Sequence, residues 1–241
     1  MKHLIGSPFK HATASAFKWY NGPSGCFWDE FTNTNGVDLT DHTPTLEGIQ
    51  WTTMSGAADW EIESNQAEQK STAAGRTSGA QVNNPIVYSA EVAAGCVNPQ
   101  LITGDITIND GGFGYEAQCG FICRYEDANN YWMGCISIDN SGGLFAEIHQ
   151  NLAGVWTLKA RPGAPVIRFA GVWDSGTSQV ATLTNTATDI TFACVGSSIT
   201  FSTTDRVAYS NSGIYAEVKD AGAGTGAASI WQIDNFRVQQ Q

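Results

Sequence analysis

Three acids at alternate positions, Asp59, Glu61 and Glu63 in "GAADWEIESNQAEQ" (56–69), are the residues whose spacing first suggests chemistry. Side chains on a strand alternate between faces, so these carboxylates would share one side. Two carboxylates can cleave a glycosidic bond, one donating a proton while the other attacks the sugar or activates water. The same alternation places Trp60 and Ile62 on the opposite side, which also describes an ordinary strand with a buried apolar face and a wet acidic one. The second reading is preferred, and no catalytic residue is assigned. The four histidines (3, 11, 42 and 149) are scattered and no Gly-x-Ser-x-Gly elbow occurs, so a hydrolase triad has no visible base. "GAGTGA" (222–227) imitates a dinucleotide loop but leads into "SIWQIDNF", a strand pattern rather than a helix, and reads as a turn. The chain is expected not to be an enzyme.

The six cysteines (26, 96, 119, 123, 135 and 194) are even in number and would permit three disulfides. The opening "MKHLIGSPFKHATASAFKWY" lacks the apolar run of a secretory signal, so free thiols in a cytosol-assembled protein are expected instead. "CGFIC" (119–123) has no matching second pair and no nearby histidine, which disfavours zinc. Cys119, Cys123 and Cys135 are expected to be small apolar fillers of a sandwich core.

The elements that must position these residues are strands. Only 15% of the chain is charged, against 42% hydrophobic, with 26 glycines and eight tryptophans, a composition suited to strands, turns and a sizeable core. Strand patterns recur at 48–54, 60–64, 85–92, 101–108, 117–126, 130–138, 143–150, 155–160 and 166–173. They continue at 178–185, 189–195, 197–203, 213–219 and 229–238. Turn signals such as "TNTNG", "NDGG", "DNSGG" and "SNSG" separate them. This predicts an all-β antiparallel sandwich. No stretch approaches 18 uninterrupted apolar residues, so no membrane span is expected.

Charge divides the chain near residue 28. Residues 1–28 hold Lys2, Lys10 and Lys18 and no acid; the remaining nine bases face all 23 acids, a net charge of −14 for residues 29–241. An acidic body repels phosphate backbones, which excludes nucleic acid as an expected partner. The arm is rich in large apolar side chains, among them Leu4, Ile5, Phe9, Phe17, Trp19 and Tyr20, which so short a segment cannot bury by itself. Together with the three lysines, these form the expected partner-binding surface of the arm.

Four pieces carry a family resemblance: "DEFTNTNGVDLTDHTP" (29–44) leading to "WTTMSGAADWEIESNQA" (51–67); "CGFICRYEDANNYWMGCI" (119–136); "GVWTLKA" (154–160); and "ITFACVGSSITFSTTDR" (190–206) with "IDNFRV" (233–238). In this order they resemble the concanavalin A-like lectin/glucanase jelly roll, in the laminin-G-like form found in phage and bacterial surface proteins. The resemblance covers residues 29–241 and implies a two-sheet jelly-roll sandwich with the arm of residues 1–28 extended from it. It implies that the concave sheet is the ligand surface and that the first strand, around Asp29–Phe31, lies beside the last. It also implies a peripheral place for Asp59, Glu61 and Glu63, away from the glucanase branch's central catalytic strand. By analogy, calcium could sit near Asp110 or Asp139, although solvated turns are preferred there; no cofactor is assigned.

Tyr131, Trp132, Trp156, Trp173 and Trp231 could form a stacking platform for sugar rings. Most alternate with polar residues as core positions do, which leaves Tyr131 and Trp173, beside turns, as the candidate glycan contacts. The function expected is that of a non-enzymatic virion protein of a tailed phage. Such a capsid decoration or head or tail surface protein would be assembled in the host cytoplasm. Through the arm it would bind other virion proteins, such as the major capsid or a tail protein, as a homo-oligomer displaying a lectin-like domain to cell-surface glycans. The alternative is a carbohydrate-binding module or a glucanase.

Overall fold

The computed structural model describes residues 25–45, 51–53, 60–69, 82–83, 86–88, 98–109, 116–138, 143–163, 167–168, 176–219 and 230–241. No helix occurs among them. The strands form two antiparallel sheets. The first runs in the order β16 (Ser197–Ser202), β15 (Asp189–Cys194), β14 (Ser178–Asn185), β8 (Gln100–Asn109), β18 (Ile230–Gln240), β5 (Gln66–Gln69), β4 (Trp60–Glu63) and β2 (Val37–Asp38). The strand β1 (Gly25–Asp29) also pairs with β18. The second runs β12 (Val155–Ala160), β11 (Gly143–Leu152), β10 (Asn130–Ile138), β9 (Glu116–Asp127), β17 (Asn211–Lys219), β7 (Ile86–Tyr88) and β3 (Trp51–Thr53). Short strands β13 (Ile167–Arg168) and β6 (Val82–Asn83) pair with β11 and β17. This is the expected jelly-roll sandwich.

Alternation explains most of it. Along β15 every second residue, Ile190, Phe192 and Cys194, is buried, and on β14 Ala181 and Leu183 are. Hairpin turns set the registers. Ser64 and Asn65 both take positive φ (54° and 61°), as do Ala153 and Gly154 (53° and 78°), the handedness that matches the twist of the strands they join. The sheets meet closely. Phe121 of the second sheet lies 5.7 Å from Phe236 of the first, and Trp132 lies 5.5 Å from Phe201. Gly134 has no side chain because Leu183 and Phe192 of the facing sheet occupy its place; a Cβ there would come within 2.7 Å of both.

The first and last described strands meet as expected: Asp29 is in register with Phe236, which gives the edge of β18 a partner. Gly25 to Trp28, which charge assigned to the arm, form part of this strand, and Phe27 is buried against Trp51 and Phe236. Hydrophobic anchoring thus draws the sandwich boundary earlier than charge does. The arm candidates Lys2, Leu4, Ile5, Phe9, Lys10, Phe17, Lys18, Trp19 and Tyr20 lie outside the described residues.

Candidate functional site

Both faces of β10 and β11 are buried. One face meets the first sheet through Trp132, Ile136, Leu144, Ala146 and Ile148. The other carries a second cluster, Ile122, Tyr131, Met133, Cys135 and Tyr215, with Tyr125 and Trp156 packed against it. Register decides its membership. Cys135 stands opposite Glu147, Met133 opposite His149 and Tyr131 opposite Asn151, so these six side chains share this outer face. On the neighbouring strands, Gly120 stands opposite both Cys135 and Tyr215.

The aromatic part forms a continuous row. Tyr125 lies 6.2 Å from Tyr131, Tyr131 5.5 Å from Trp156, and Trp156 5.3 Å from Tyr215 and 5.9 Å from His149. Trp156, on the edge strand β12, is the ring of this row's centre that reaches solvent, followed along the strand by exposed Thr157 and Leu158.

The polar part centres on Glu147, which is only 2% exposed. Its Oε2 pairs with His149 Nε2 at 2.7 Å and accepts from Gln118 Nε2 at 3.4 Å, while Arg161 Nε reaches Oε1 at 3.3 Å. The Arg161 guanidinium also covers the Phe145 ring at 3.4 Å. These donors offset the cost of burying the carboxylate. Two acceptors on the same face, Gln118 Oε1 and Asn151 Oδ1, are buried without a hydrogen-bond partner. Cys135 Sγ, a Glu147 oxygen and a His149 ring nitrogen all lie within 4.8 Å of one another. This set can hold a cation, or bind a polar ligand by several hydrogen bonds.

The structure redistributes the residues singled out in the sequence. Tyr131 lies on the outer face but is buried, with its edge against Trp156, so it is not itself the exposed stacking ring. Trp132 and Trp231 belong to the inter-sheet core. Cys119 and Cys123 fill that core as expected, but Cys135 points the other way, to Glu147 and His149. His149, scattered in sequence, gains neighbours through strand pairing. The only sequence signal for it was Glu147-x-His149 alternation within 143–150. His42 similarly meets buried Asp29, with Nε2 2.9 Å from Oδ1, in a pair that also receives Trp51 Nε1 at 2.6 Å.

Glu61 and Glu63 face outward on peripheral β4, opposite to buried Trp60 and Ile62. Glu61 stands between acids, Asp38 on β2 and Glu68 on β5. Burial pushes the Glu68 carboxyl above its usual range, Glu63 and Glu61 push it further, and a hydrogen bond from Gln232 opposes them. Asp59, Trp173, Asp110, Asp139 and the "GAGTGA" turn lie outside the described residues.

No protein-family model and no curated protein matches the chain. Solved structures match its fold. The carbohydrate-binding module CBM66 from Bacillus subtilis aligns over 79% of this chain and 95% of that one, at 16% identity and a TM-score of 0.51. The β-glucanase of Bacillus licheniformis aligns over 90% and 99%, at 10% identity and a TM-score of 0.51. A chain from work on endo-acting O-glycanases that human gut bacteria use to initiate mucin breakdown aligns over 90% and 100%, at 10% identity and a TM-score of 0.56. At these identities the likeness is one of fold, the concanavalin A-like jelly roll of lectins and glucanases.

Proposed function

We propose that this chain is a non-enzymatic, lectin-like module that binds carbohydrate on the outer face of its second sheet, at the Trp156 side. The observation that carries this is the aromatic row from Tyr125 through Tyr131 and Trp156 to Tyr215, bordered by Glu147, His149, Asn151 and Arg161. A sugar presents apolar C–H faces and polar hydroxyl edges, so a half-buried indole that reaches solvent beside fixed donors and acceptors suits it. Fold neighbours that include a carbohydrate-binding module support the reading. Glycan-array screening followed by calorimetry on the best ligand tests it. Trp156→Ala is expected to weaken binding about tenfold or more, with unchanged circular dichroism. Absence of any glycan ligand, or full affinity in the variant, would overturn it.

The non-enzymatic part rests on the company Glu147 keeps. Its alternate neighbour on β11 is His149, whereas glycosidases place a second carboxyl group about 5–9.5 Å from the first. Reducing-sugar release from a β-glucan that disappears in Glu147→Gln, Glu61→Gln or Glu68→Gln would refute it.

A second reading places the module on a tailed-phage particle as a structural protein attached through its arm. Its support is the basic, acid-free segment 1–28 ahead of an acidic body, together with Cys119, Cys123 and Cys194, which are buried and form no disulfide. Deleting residues 1–24 spares β1 and is expected to leave a folded sandwich that no longer joins particles. Incorporation at full occupancy would reject the arm as the attachment device.

A further inference from the structure

We infer that Cys135, Glu147 and His149 form a binding site for one borderline-soft divalent transition-metal ion, zinc being the type. Among the described residues this is the one cluster whose histidine, cysteine and acidic ligand atoms converge, all within 4.8 Å, and all three residues are buried. The ligand set is mixed: thiolate sulfur, imidazole nitrogen and carboxylate oxygen are the three donors that zinc accepts. In a tetrahedral zinc site neighbouring donor atoms stand roughly 3.3–3.6 Å apart, given metal–ligand lengths of about 2.0–2.3 Å. The farthest donors therefore need to close by about 1.5 Å at most, and the Glu147–His149 pair, 2.7 Å apart, needs to open by about half an ångström, both within the reach of χ rotations on a fixed backbone.

The backbone holds them in place. Cys135 and Glu147 are directly paired on adjacent central strands, and His149 is two residues along from Glu147 on the same face. Gly120, across from Cys135 on β9, keeps the thiol's surroundings open. A Cβ there would lie 2.7 Å from the cysteine Cβ and 2.1 Å from the Gly134 carbonyl oxygen.

An independent observation points the same way. Gln118 Oε1 is buried and has no hydrogen-bond partner, although its amide nitrogen contacts Glu147. An orphaned acceptor costs about 1–3 kcal/mol, and most native structures avoid it. A cation beside Glu147 would give this oxygen a role, as a fourth ligand or as acceptor from a metal-bound water.

Charge also balances: a thiolate and a carboxylate neutralise a divalent ion, and binding releases the thiol proton. The ion would take the place of the Glu147–His149 hydrogen bond, while Arg161, which holds the other carboxylate oxygen, can stay. Arg161 is about one-third exposed, so it can also swing aside as the ion enters. The cluster shares Glu147 and His149 with the polar border of the carbohydrate face, but the ion needs no sugar to bind, so loss of glycan binding and loss of zinc binding are read separately.

The test uses the full-length protein, stripped with chelator and titrated with Zn²⁺ by equilibrium dialysis, then with Co²⁺ by absorbance. The expected result is one equivalent of zinc, proton release on binding, and a thiolate-to-cobalt charge-transfer band in the near ultraviolet. Cys135→Ser should abolish that band, and Cys135→Ser and His149→Ala should each weaken zinc binding tenfold or more, about the effect of losing one supporting contact at a metal site. Melting curves without metal establish that each variant folds. Zinc should raise the melting temperature of the wild type but not of Cys135→Ser, and should slow alkylation of Cys135. Failure to retain one equivalent, or a cobalt band that survives Cys135→Ser, overturns the assignment.

Discussion

Replacing Arg124 with methionine tests how the two sheets are held together. The residue is fully buried on β9, with φ at 49°. Its Nε donates to Asn185 Oδ1 at 2.6 Å and its Nη2 to the Thr186 carbonyl at 2.9 Å. Nη1 donates to the carbonyls of Thr203 and Asp205, at 3.1 and 2.6 Å. One guanidinium therefore joins the second sheet to the β14–β15 turn of the first and to the segment after β16. Burial pulls its pKa below the usual arginine value, yet arginine stays charged at any working pH. Methionine keeps the stem and removes every donor. The buried Asn185 oxygen would then be orphaned at about 1–3 kcal/mol, while water can reach the part-buried carbonyls, at about 0.5–1 kcal/mol each. The charge no longer has to be desolvated, which returns part of the loss. A net destabilisation of about 3 kcal/mol is expected, or about 6–12 °C in melting temperature for a chain of this length. Urea unfolding followed by tryptophan fluorescence would read it as a lower midpoint at unchanged slope. Arg124→Lys should recover less than half, because an ammonium cannot span the four acceptors. A methionine variant within about 1 kcal/mol of the wild type, or a fully stable lysine variant, would refute the reasoning.

Three further outcomes are expected. Asp29→Ala leaves the Phe31 N–H, Trp51 Nε1 and His42 Nε2 without their shared acceptor and should cost about 3–5 kcal/mol, read by the same urea unfolding. The Asp234 carboxyl is raised from 3.8, first by burial and then by Asp105, Glu30 and Asp29, so its ionised form opposes folding. That penalty is absent below the unfolded pKa and grows as pH rises through the folded one. Asp234→Asn should therefore be more stable than the wild type at pH 7, and the gain should vanish in acid; equal stabilities at pH 7 would contradict this. Burial holds the thiols of Cys123 and Cys194 up to about 12 and that of Cys119 well above its ordinary value. At neutral pH iodoacetamide should modify these three only after unfolding, without reductant, and modification of the native protein within minutes would show that the core opens.

The long strands were legible because each carries its own signal. "NYWMGCISI" and "DITFACV" alternate or run apolar between turn residues, and the chain folds them as β10 and β15. The wet face of Glu61 and Glu63 followed from the same period of two. "QAEQ" carries no such signal, lacking β-branched and aromatic residues. It becomes β5 because the Ser64–Asn65 turn folds it onto β4 and because β18 offers it an edge. Phe27 and Trp28 read as part of a basic arm, yet Phe27 is core, since the Trp51 and Phe236 rings it fills against come from distant segments.

The site belongs to the tertiary structure. Period two shows that Glu147 and His149 share a face, but not which face, since both faces of β11 are buried and the usual polar–apolar contrast is lost. Cys135 read as a core filler because a lone cysteine among apolar residues looks the same whichever way it points. Its meeting with Glu147 depends on the β10–β11 register, which a slip of one residue would turn to the other side. Local sequence determines that a strand forms and where it turns. Register and sheet order, settled by packing between residues far apart in the chain, determine which side chains meet.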